Sequence, residues 1–250
     1  MATWVLLRGL VRESGHWGAF VPHFEDALPD AQVHLLDLPG NGTCHAQRSP
    51  AQIDAMVDAC RQQLQAAGVV QPYALLALSM GGMVAVQWAQ RFPHEIERQV
   101  LVNTSMRPFS PVYQRLRARN WVTIAGLLLG RANGLQWEEA ILQMTTTQPH
   151  PEVLPVWQSL RQCHPVSATN ALRQLWAAAR FTAPVLPPAV PTLLLSSTQD
   201  ALVSVQCSRA IAKAWDVPLR EHPQAGHDVS LDDPQWVAQQ VRRWLLGKAA

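Results

Sequence analysis

Six short apolar runs punctuate the chain, at residues 3–8, 32–37, 74–78, 99–103, 191–196 and 218–222. Each has the length of a strand and is bounded by Gly, Pro or polar residues, which predicts short buried strands. Amphipathic stretches lie between them. Residues 51–67 put Ile53, Met56, Val57, Cys60 and Leu64 on one stripe at helical spacing, and Gly68 stands where a C-terminal cap belongs. Residues 81–91, 205–215 and 234–246 also read as helices, the last opening after Asp232 and Asp233. Strands apolar on both faces, alternating with helices, predict an α/β fold built on a mostly parallel sheet flanked by helices.

One region breaks the alternation. Residues 106–182 carry helical patterns and no strand signal, with Trp121, Trp137, Trp157 and Trp176 spaced along them. Pro184, Pro187, Pro188 and Pro191 then lead back into a strand. The expected organisation is a core formed by residues 1–105 and 183–250 and a helical cap, 106–182, inserted in it. Gly126, Gly130 and Gly134 are expected to loosen the cap locally and allow it to move. No repeat or low-complexity segment is present.

Composition narrows the function classes. With 250 residues, 48% apolar and 15% charged, the chain can build a sizeable core and is not a disordered polymer. A net charge of +2 is too small for an electrostatic nucleic-acid binder. The apolar run 121–129 falls far short of the ~20 residues a membrane span needs, and no charged stretch precedes the apolar residues 3–7, so neither a membrane span nor a signal peptide is expected. Cys44, Cys60, Cys163 and Cys207 are widely spaced with no C-x-x-C pair, as in a cytoplasmic protein with reduced thiols.

The sharpest chemical signal is Ala77-Leu78-Ser79-Met80-Gly81-Gly82, between a buried strand and a helix rich in small residues. A serine on a tight strand-to-helix turn projects above the sheet edge, and the small neighbours let backbones approach. The helix start aims free N–H groups at the same point. The plainer use of such a serine is as a helix N-cap. A hydroxyl needs a base to take its proton and the base needs an orienting acid. Asp200 ends the strand at 191–196 and His227 follows the last strand, giving the order Ser79, Asp200, His227 expected of loops at the carboxyl edge of a parallel sheet. His222 reads as a core or surface histidine, and Asp228, Asp232 and Asp233 as turn and capping residues. Neither the histidines with their nearby aspartates nor Cys44-His45 matches a metal-ligand spacing.

The chain resembles the α/β-hydrolase superfamily, of the small capped kind, over essentially its full length. The resemblance rests on Leu7-Arg8-Gly9-Leu10, Asp37-Leu38-Pro39-Gly40-Asn41-Gly42, the turn at Ser79, and Asp200 with Gly226-His227. It implies about six strands, Ser79 as nucleophile, His227 as general base and acid, Asp200 as its orienter, and an oxyanion hole on the backbone N–H groups of Leu10 and Met80. Two positions depart from the family pattern: Ala77 replaces the first glycine of the turn, and Arg8 precedes Gly9 where histidine is more usual. Arg8 leaves a buried strand, so its charge is expected to be paired and to brace the loop.

These readings predict a serine hydrolase that cleaves a carboxylic ester or thioester through an acyl-enzyme, with no metal or organic cofactor. A lyase or C–C bond hydrolase on the same residues, or a non-catalytic binding homologue, stays open, because one scaffold hosts many reactions. The cap holds eight arginines (107, 115, 117, 119, 131, 161, 173 and 180) against Glu138, Glu139 and Glu152, a surplus of +5. That surplus suits an anionic small-molecule acyl ester or an acidic acyl-carrier protein. Trp121, Trp137, Arg115 and Arg119 are the expected substrate contacts.

Overall fold

The computed structural model describes residues 2–130 and 133–247. Six parallel strands form one sheet: β1 (Ala2–Leu7), β2 (Ala31–Leu36), β3 (Tyr73–Leu78), β4 (Ile96–Val102), β5 (Thr192–Ser197) and β6 (Leu219–His222), in the order β2-β1-β3-β4-β5-β6. All six coincide with predicted strands to within three residues at either end. β3 and β5 are buried at every position, as strands covered on both faces must be.

Successive strand residues point to opposite faces, so the sheet separates two apolar layers. On one face Val5, Leu75 and Leu101 meet helices α2 (Ile53–Ala66) and α3 (Met80–Arg91) through Val57, Leu64, Val84 and Trp88. On the other, Trp4, Leu76 and Val100 meet α1 (Phe20–Ala27) and the last long helix (Pro234–Leu245) through Phe20, Phe24, Val237 and Val241. Burying a phenylalanine such as Phe24 contributes about 1.5–3 kcal/mol. α1 has no predicted counterpart. It starts without a side-chain cap and carries Pro22 in its first turn, a residue tolerated there because that N–H has no helical partner. The apolar residues Trp17, Phe20, Val21, Phe24, Ala27 and Leu28, in and beside it, recur at helical spacing and pack into the same layer.

Between β4 and β5 the chain forms α4 (Val112–Arg115), α5 (Trp121–Leu128), α6 (Gly134–Thr145), α7 (Val153–Cys163) and α8 (Ala168–Arg180). A single bridge, Arg107 to Thr182, joins the two ends of this segment, and the Ala183 amide donates to Arg107 O at 2.7 Å. Ala177, Ala178 and Phe181 enter the core layer beside α3. Polar side chains tie α8 to the Asp37–Gly42 turn and its sequel: Gln174 Nε2 donates to Asn41 Oδ1 at 2.7 Å, and Asn170 Oδ1 accepts from the Ser49 amide at 2.9 Å. Within that turn Gly42 has φ 50°, and a Cβ there would lie 2.2 Å from Asp37 Oδ2. That carboxylate accepts from the amides of Ser14 and Thr43, so the motif braces the loop after β1. The chain finishes with α9 (Val205–Trp215), a short turn α10 (Val229–Asp232) and α11 (Pro234–Leu245).

Candidate active site

Ser79 is the one residue between β3 and α3, with φ 58° and ψ −118°. Non-glycine residues avoid positive φ, so the surroundings must hold it there. Its amide donates to Val102 O at 2.8 Å, and its carbonyl accepts from the Gly82 amide at 3.0 Å and the Thr104 hydroxyl at 2.8 Å. Its side chain does not cap α3, which removes the plainer use of the serine. The glycines around it are steric necessities. A Cβ on Gly81 would lie 2.7 Å from Leu7 O, one on Gly82 2.7 Å from Thr104 Oγ1, and one on Gly9 3.0 Å from Ser79 Cβ.

The acid and the imidazole arrive from the ends of β5 and β6. Asp200 Oδ1 accepts the amides of Leu202 and Val203 at 2.7 and 2.8 Å, and Asp200 Oδ2 stands 2.7 Å from His227 Nδ1. Both side chains are buried. An Nδ1–H directed at the carboxylate leaves Nε2 as the proton acceptor. The histidine loop is held from three sides: Asn103 Nδ2 donates to His227 O at 2.7 Å, the Gly226 amide donates to Asp232 Oδ2 at 2.7 Å, and the Asp228 amide donates to Thr145 O at 2.7 Å. A Cβ on Gly226 would lie 2.6 Å from Thr145 O, so only glycine permits this contact with the end of α6.

Sequence reasoning missed Asn103 as a positioning residue. It has φ 45°, and its Oδ1 accepts the Ser197 amide at 2.8 Å while its amide group holds the histidine loop. The available signal was an asparagine directly after a strand, the residue type that best tolerates left-handed backbone.

Ser79 and His227 share the wall of a cavity of about 100 Å³ enclosed by α5, α6 and α8, whose sides are Ile124, Leu127, Trp137, Ile141, Met144 and Leu175. A second lobe of about 160 Å³ opens on the other side of Ser79, bordered by Met80, Met83, Arg115 and Leu116. Leu10 borders both lobes. Among the described residues no acceptor takes the amide N–H of Leu10 or Met80. Of the four tryptophans only Trp137 reaches the cavity. Trp157 is packed beneath it with Trp137 and Ile141.

Two expected substrate contacts lie elsewhere. Trp121 is exposed and its Nε1 donates to Leu116 O at 3.0 Å, while Arg119 is exposed and donates to Ala201 O at 3.1 Å. Ile124, Leu127 and Leu128 of α5 line the cavity. Trp121 lies on the same side of the helix at helical spacing, but it stands in the first turn, outside the cavity, where the chain is exposed. Arg115 does border the second lobe, but NH2 and NH1 of its guanidinium donate to Ala178 O and Ala179 O at 2.6 and 3.3 Å, near the end of α8. The cationic face is also smaller than the sequence count. Arg131 lies outside the described residues, and only Arg107, Arg119 and Arg180 of the other seven are exposed.

Arg8 and Asp228 form a buried ion pair under the cavity. Arg8 NH1 donates to Asp228 Oδ1 and to Ser230 Oγ, each at 3.1 Å, NH2 also reaches Asp228 Oδ2, and the guanidinium covers the Trp17 ring. Arg8 therefore braces the loop, as its position implied. Asp228, read from sequence as a turn or capping residue, is instead its counter-ion and caps nothing. Burial pushes the Asp228 carboxyl up, but Arg8, Ser230 and Arg12 together hold it below its ordinary value. His16 is held well below the ordinary imidazole range, by burial and then by Arg12 and Arg8, and so is neutral. Asp233 does cap its helix, accepting the Trp236 amide at 2.9 Å.

Among the described residues no group of three or more His, Cys, Asp or Glu side chains could hold a metal ion, and no helix is long and apolar enough to cross a membrane. All four cysteines are unpaired; Cys44 is buried, not exposed in its loop, and burial pushes the Cys60 thiol up to about 12.

A parallel sheet bearing a strained serine after its central strand, an acid after the fifth and a histidine after the sixth defines an α/β hydrolase. The chain belongs to the alpha/beta hydrolase family, whose profile matches residues 4–240. It is 30% identical over 230 residues to the pimeloyl-[acyl-carrier protein] methyl ester esterase of Chromobacterium violaceum, covering 88% of this chain and 86% of the relative. It is 29% identical over 245 residues to the putative carbamate hydrolase RutD of Klebsiella pneumoniae strain 342, covering 92% and 85%. Among solved structures, the enol-lactonase of Burkholderia xenovorans LB400 superposes with a TM-score of 0.79 at 21% identity, over 98% of this chain and 91% of that one. The protein is thus a hydrolase-family member with esterase-type relatives.

Proposed function

We propose that the protein is a serine hydrolase of carboxylic esters or thioesters, working through Ser79, His227 and Asp200. The observation that carries this reading is the 2.7 Å contact between His227 Nδ1 and Asp200 Oδ2 beside a cavity that Ser79 also borders. Ser79 Oγ attacks the acyl carbonyl as His227 Nε2 takes its proton. The amides of Leu10 and Met80 receive the developing oxyanion. The imidazolium then protonates the departing alcohol or thiol, leaving the acyl group on Ser79. A water molecule, deprotonated by the same nitrogen, attacks the acyl-enzyme and releases the acid. Trp137 contacts the acyl chain, Arg115 borders the lobe that takes the other part of the substrate, and the helices of 106–182 act as the cap. No organic cofactor or metal takes part in these steps.

The test is a labelling experiment combined with an ester panel of graded chain length. A fluorophosphonate is expected to label Ser79, and at least one member of the panel is expected to turn over. A protein that neither reacts with the probe nor hydrolyses any ester refutes the reading. Labelling with no ester turnover points instead to acid/base chemistry of the lyase kind.

The relatives named for an acyl-carrier substrate support an acyl-carrier protein as partner, as do the three exposed arginines of the cap, Arg107, Arg119 and Arg180. Contacts between exposed charges weaken with ionic strength. Turnover of a carrier-bound acyl ester is therefore expected to fall several-fold between 50 and 500 mM NaCl, by roughly the factor that screening imposes on steered association, while turnover of the free ester stays level. Identical salt profiles rule this partner out. The four unpaired cysteines fit the cytoplasm as the place of work.

A further inference from the structure

One side of α6 forms a wall of the first lobe. Trp137, Ile141, Met144 and Thr145 all border it, stepping along the helix by four, three and one residues. The wall begins beside the histidine, because Thr145 O accepts the Asp228 amide at 2.7 Å. Trp137 stands roughly two helical turns further from that loop. It is buried and fixed in place: the Arg161 guanidinium lies 4.2 Å from the centre of one of its rings, and Trp157 and Ile141 pack with it. Such a side chain is a stop that does not yield.

The size and the charge of the lobe both restrict what fits it. Its volume is about 100 Å³. An apolar cavity of about 150 Å³ holds one benzene ring, so this one has room for about four carbons. Arg8, Arg12 and Asp228 reach its wall, but their charges are already paired, Arg8 with Asp228 and Arg12 with Glu138, and both pairs are buried. A carboxylate carried into the lobe would lose its water without gaining a free cation, which is costly. The arginine surplus of the cap therefore does not extend to this lobe.

We propose that the first lobe is a subsite for a short, uncharged acyl group of about four carbons, and that Trp137 is the specificity-determining residue that sets its length. This rests on the hydrolase reading for the position of the scissile carbonyl at Ser79. The second lobe, on the other side of Ser79, takes the leaving group. A purely structural role for Trp137, as packing for Trp157 and Arg161, predicts a loss of stability but no change in chain-length preference.

The test is the p-nitrophenyl series acetate, butyrate, hexanoate and octanoate, whose aryl group is too large for the first lobe and must occupy the second. In the wild type kcat/KM is expected to peak at butyrate and to fall about tenfold or more by octanoate, the scale on which an apolar pocket rejects surplus methylenes. Trp137→Ala should move the peak to a longer chain. Ala171→Val, which fills the lobe from α8, should move it towards acetate and is the readable variant if Trp137→Ala does not fold. Octanoate turned over as well as butyrate by the wild type, or a peak that moves in neither variant, overturns the proposal. Monomethyl succinate, the charged counterpart of methyl butyrate, should be at least about tenfold the poorer substrate of the two; equal or better turnover of the succinate overturns the uncharged half. A second arm separates this from the hydrolase reading: calorimetry of butanamide and octanamide binding to the Ser79→Ala protein. Octanamide binding no tighter than butanamide, and tighter once Trp137→Ala is added, sustains the subsite even if no ester is turned over. Tighter octanamide binding before that substitution, or binding of neither amide, overturns it even if ester hydrolysis is intact.

Discussion

Replacing Ser79 with alanine is expected to lower kcat for ester hydrolysis by about 10⁴-fold or more, the scale seen when a triad nucleophile is removed. His227→Ala should cost about as much, and Asp200→Asn about 10⁴-fold, because loss of the acid frees the wrong imidazole tautomer. The three act as one unit, so the Ser79→Ala/His227→Ala protein should be no slower than either single variant. The Ser79 side chain does not cap its helix, so its removal is expected to leave the melting temperature unchanged. Turnover of a short p-nitrophenyl ester and a thermal melt decide the matter together. Ester turnover at the parental rate in a folded Ser79→Ala protein refutes the assignment.

The second large effect falls on stability. Arg8→Met removes the counter-ion of a carboxylate that is almost wholly inaccessible to water. Breaking a buried pair on one side costs about 3–5 kcal/mol, whereas replacing both partners by apolar groups is often close to neutral. At about 2–4 °C per kcal/mol for a chain of this size, Arg8→Met is expected to melt roughly 6–20 °C below the wild type. Arg8→Met/Asp228→Leu should recover more than half of the loss. Differential scanning calorimetry of the three proteins checks this, and a double variant no more stable than the single one rules out the counter-ion account. The pair also has a pH signature. Asp228 is held below its ordinary value in the folded state, so its contribution is complete above the unfolded value near ~3.9 and fades as pH falls through the lower folded value. The gap between wild type and the double variant should therefore narrow on acidification below about pH 4, and stay constant from pH 5 to 8.

The two variants act on opposite sides of one histidine loop. Gly226-His227-Asp228 meets α6 through Thr145, β4 through Asn103 and the loop after β1 through Arg8. Positioning of the imidazole is therefore a product of packing from three separate stretches of chain. Asn103 and Asp228 supply much of it, and neither belongs to a pattern that can be read locally. An asparagine after a strand and an aspartate after a histidine are common; what marks them is the partner, 124 positions away for Asn103 with His227 and 220 for Asp228 with Arg8.

The cap shows the same division. Its helices were legible from periodicity, but the side each tryptophan faces was not. Trp121 and Trp137 both sit in the first turns of cap helices, yet one is exposed and the other lies in the cavity wall. Helical spacing gives the relative phase of residues on one helix, and only the docking of that helix fixes which phase points inward. Arginine counts mislead for a related reason. Arg115 and Arg161 are drawn in by carbonyls and a carboxylate and lost to the surface, while Arg12, outside the cap, reaches the cavity.

By itself the sequence determined the order of the elements, the positions of the six strands, the serine on its tight turn and the small residues that turn demands. These follow from short-range physics: side-chain period, backbone sterics and capping act within a few residues, so they are written where they act. It did not determine that the edge strands β2 and β6 are only partly buried. The tertiary structure decided that Asp200 meets His227, that Asp228 neutralises Arg8, and that Asn103 holds the histidine loop. Each of those depends on segments brought together by burial of the two apolar layers, and the free energy that selects one docking over another comes from contacts that no local pattern records.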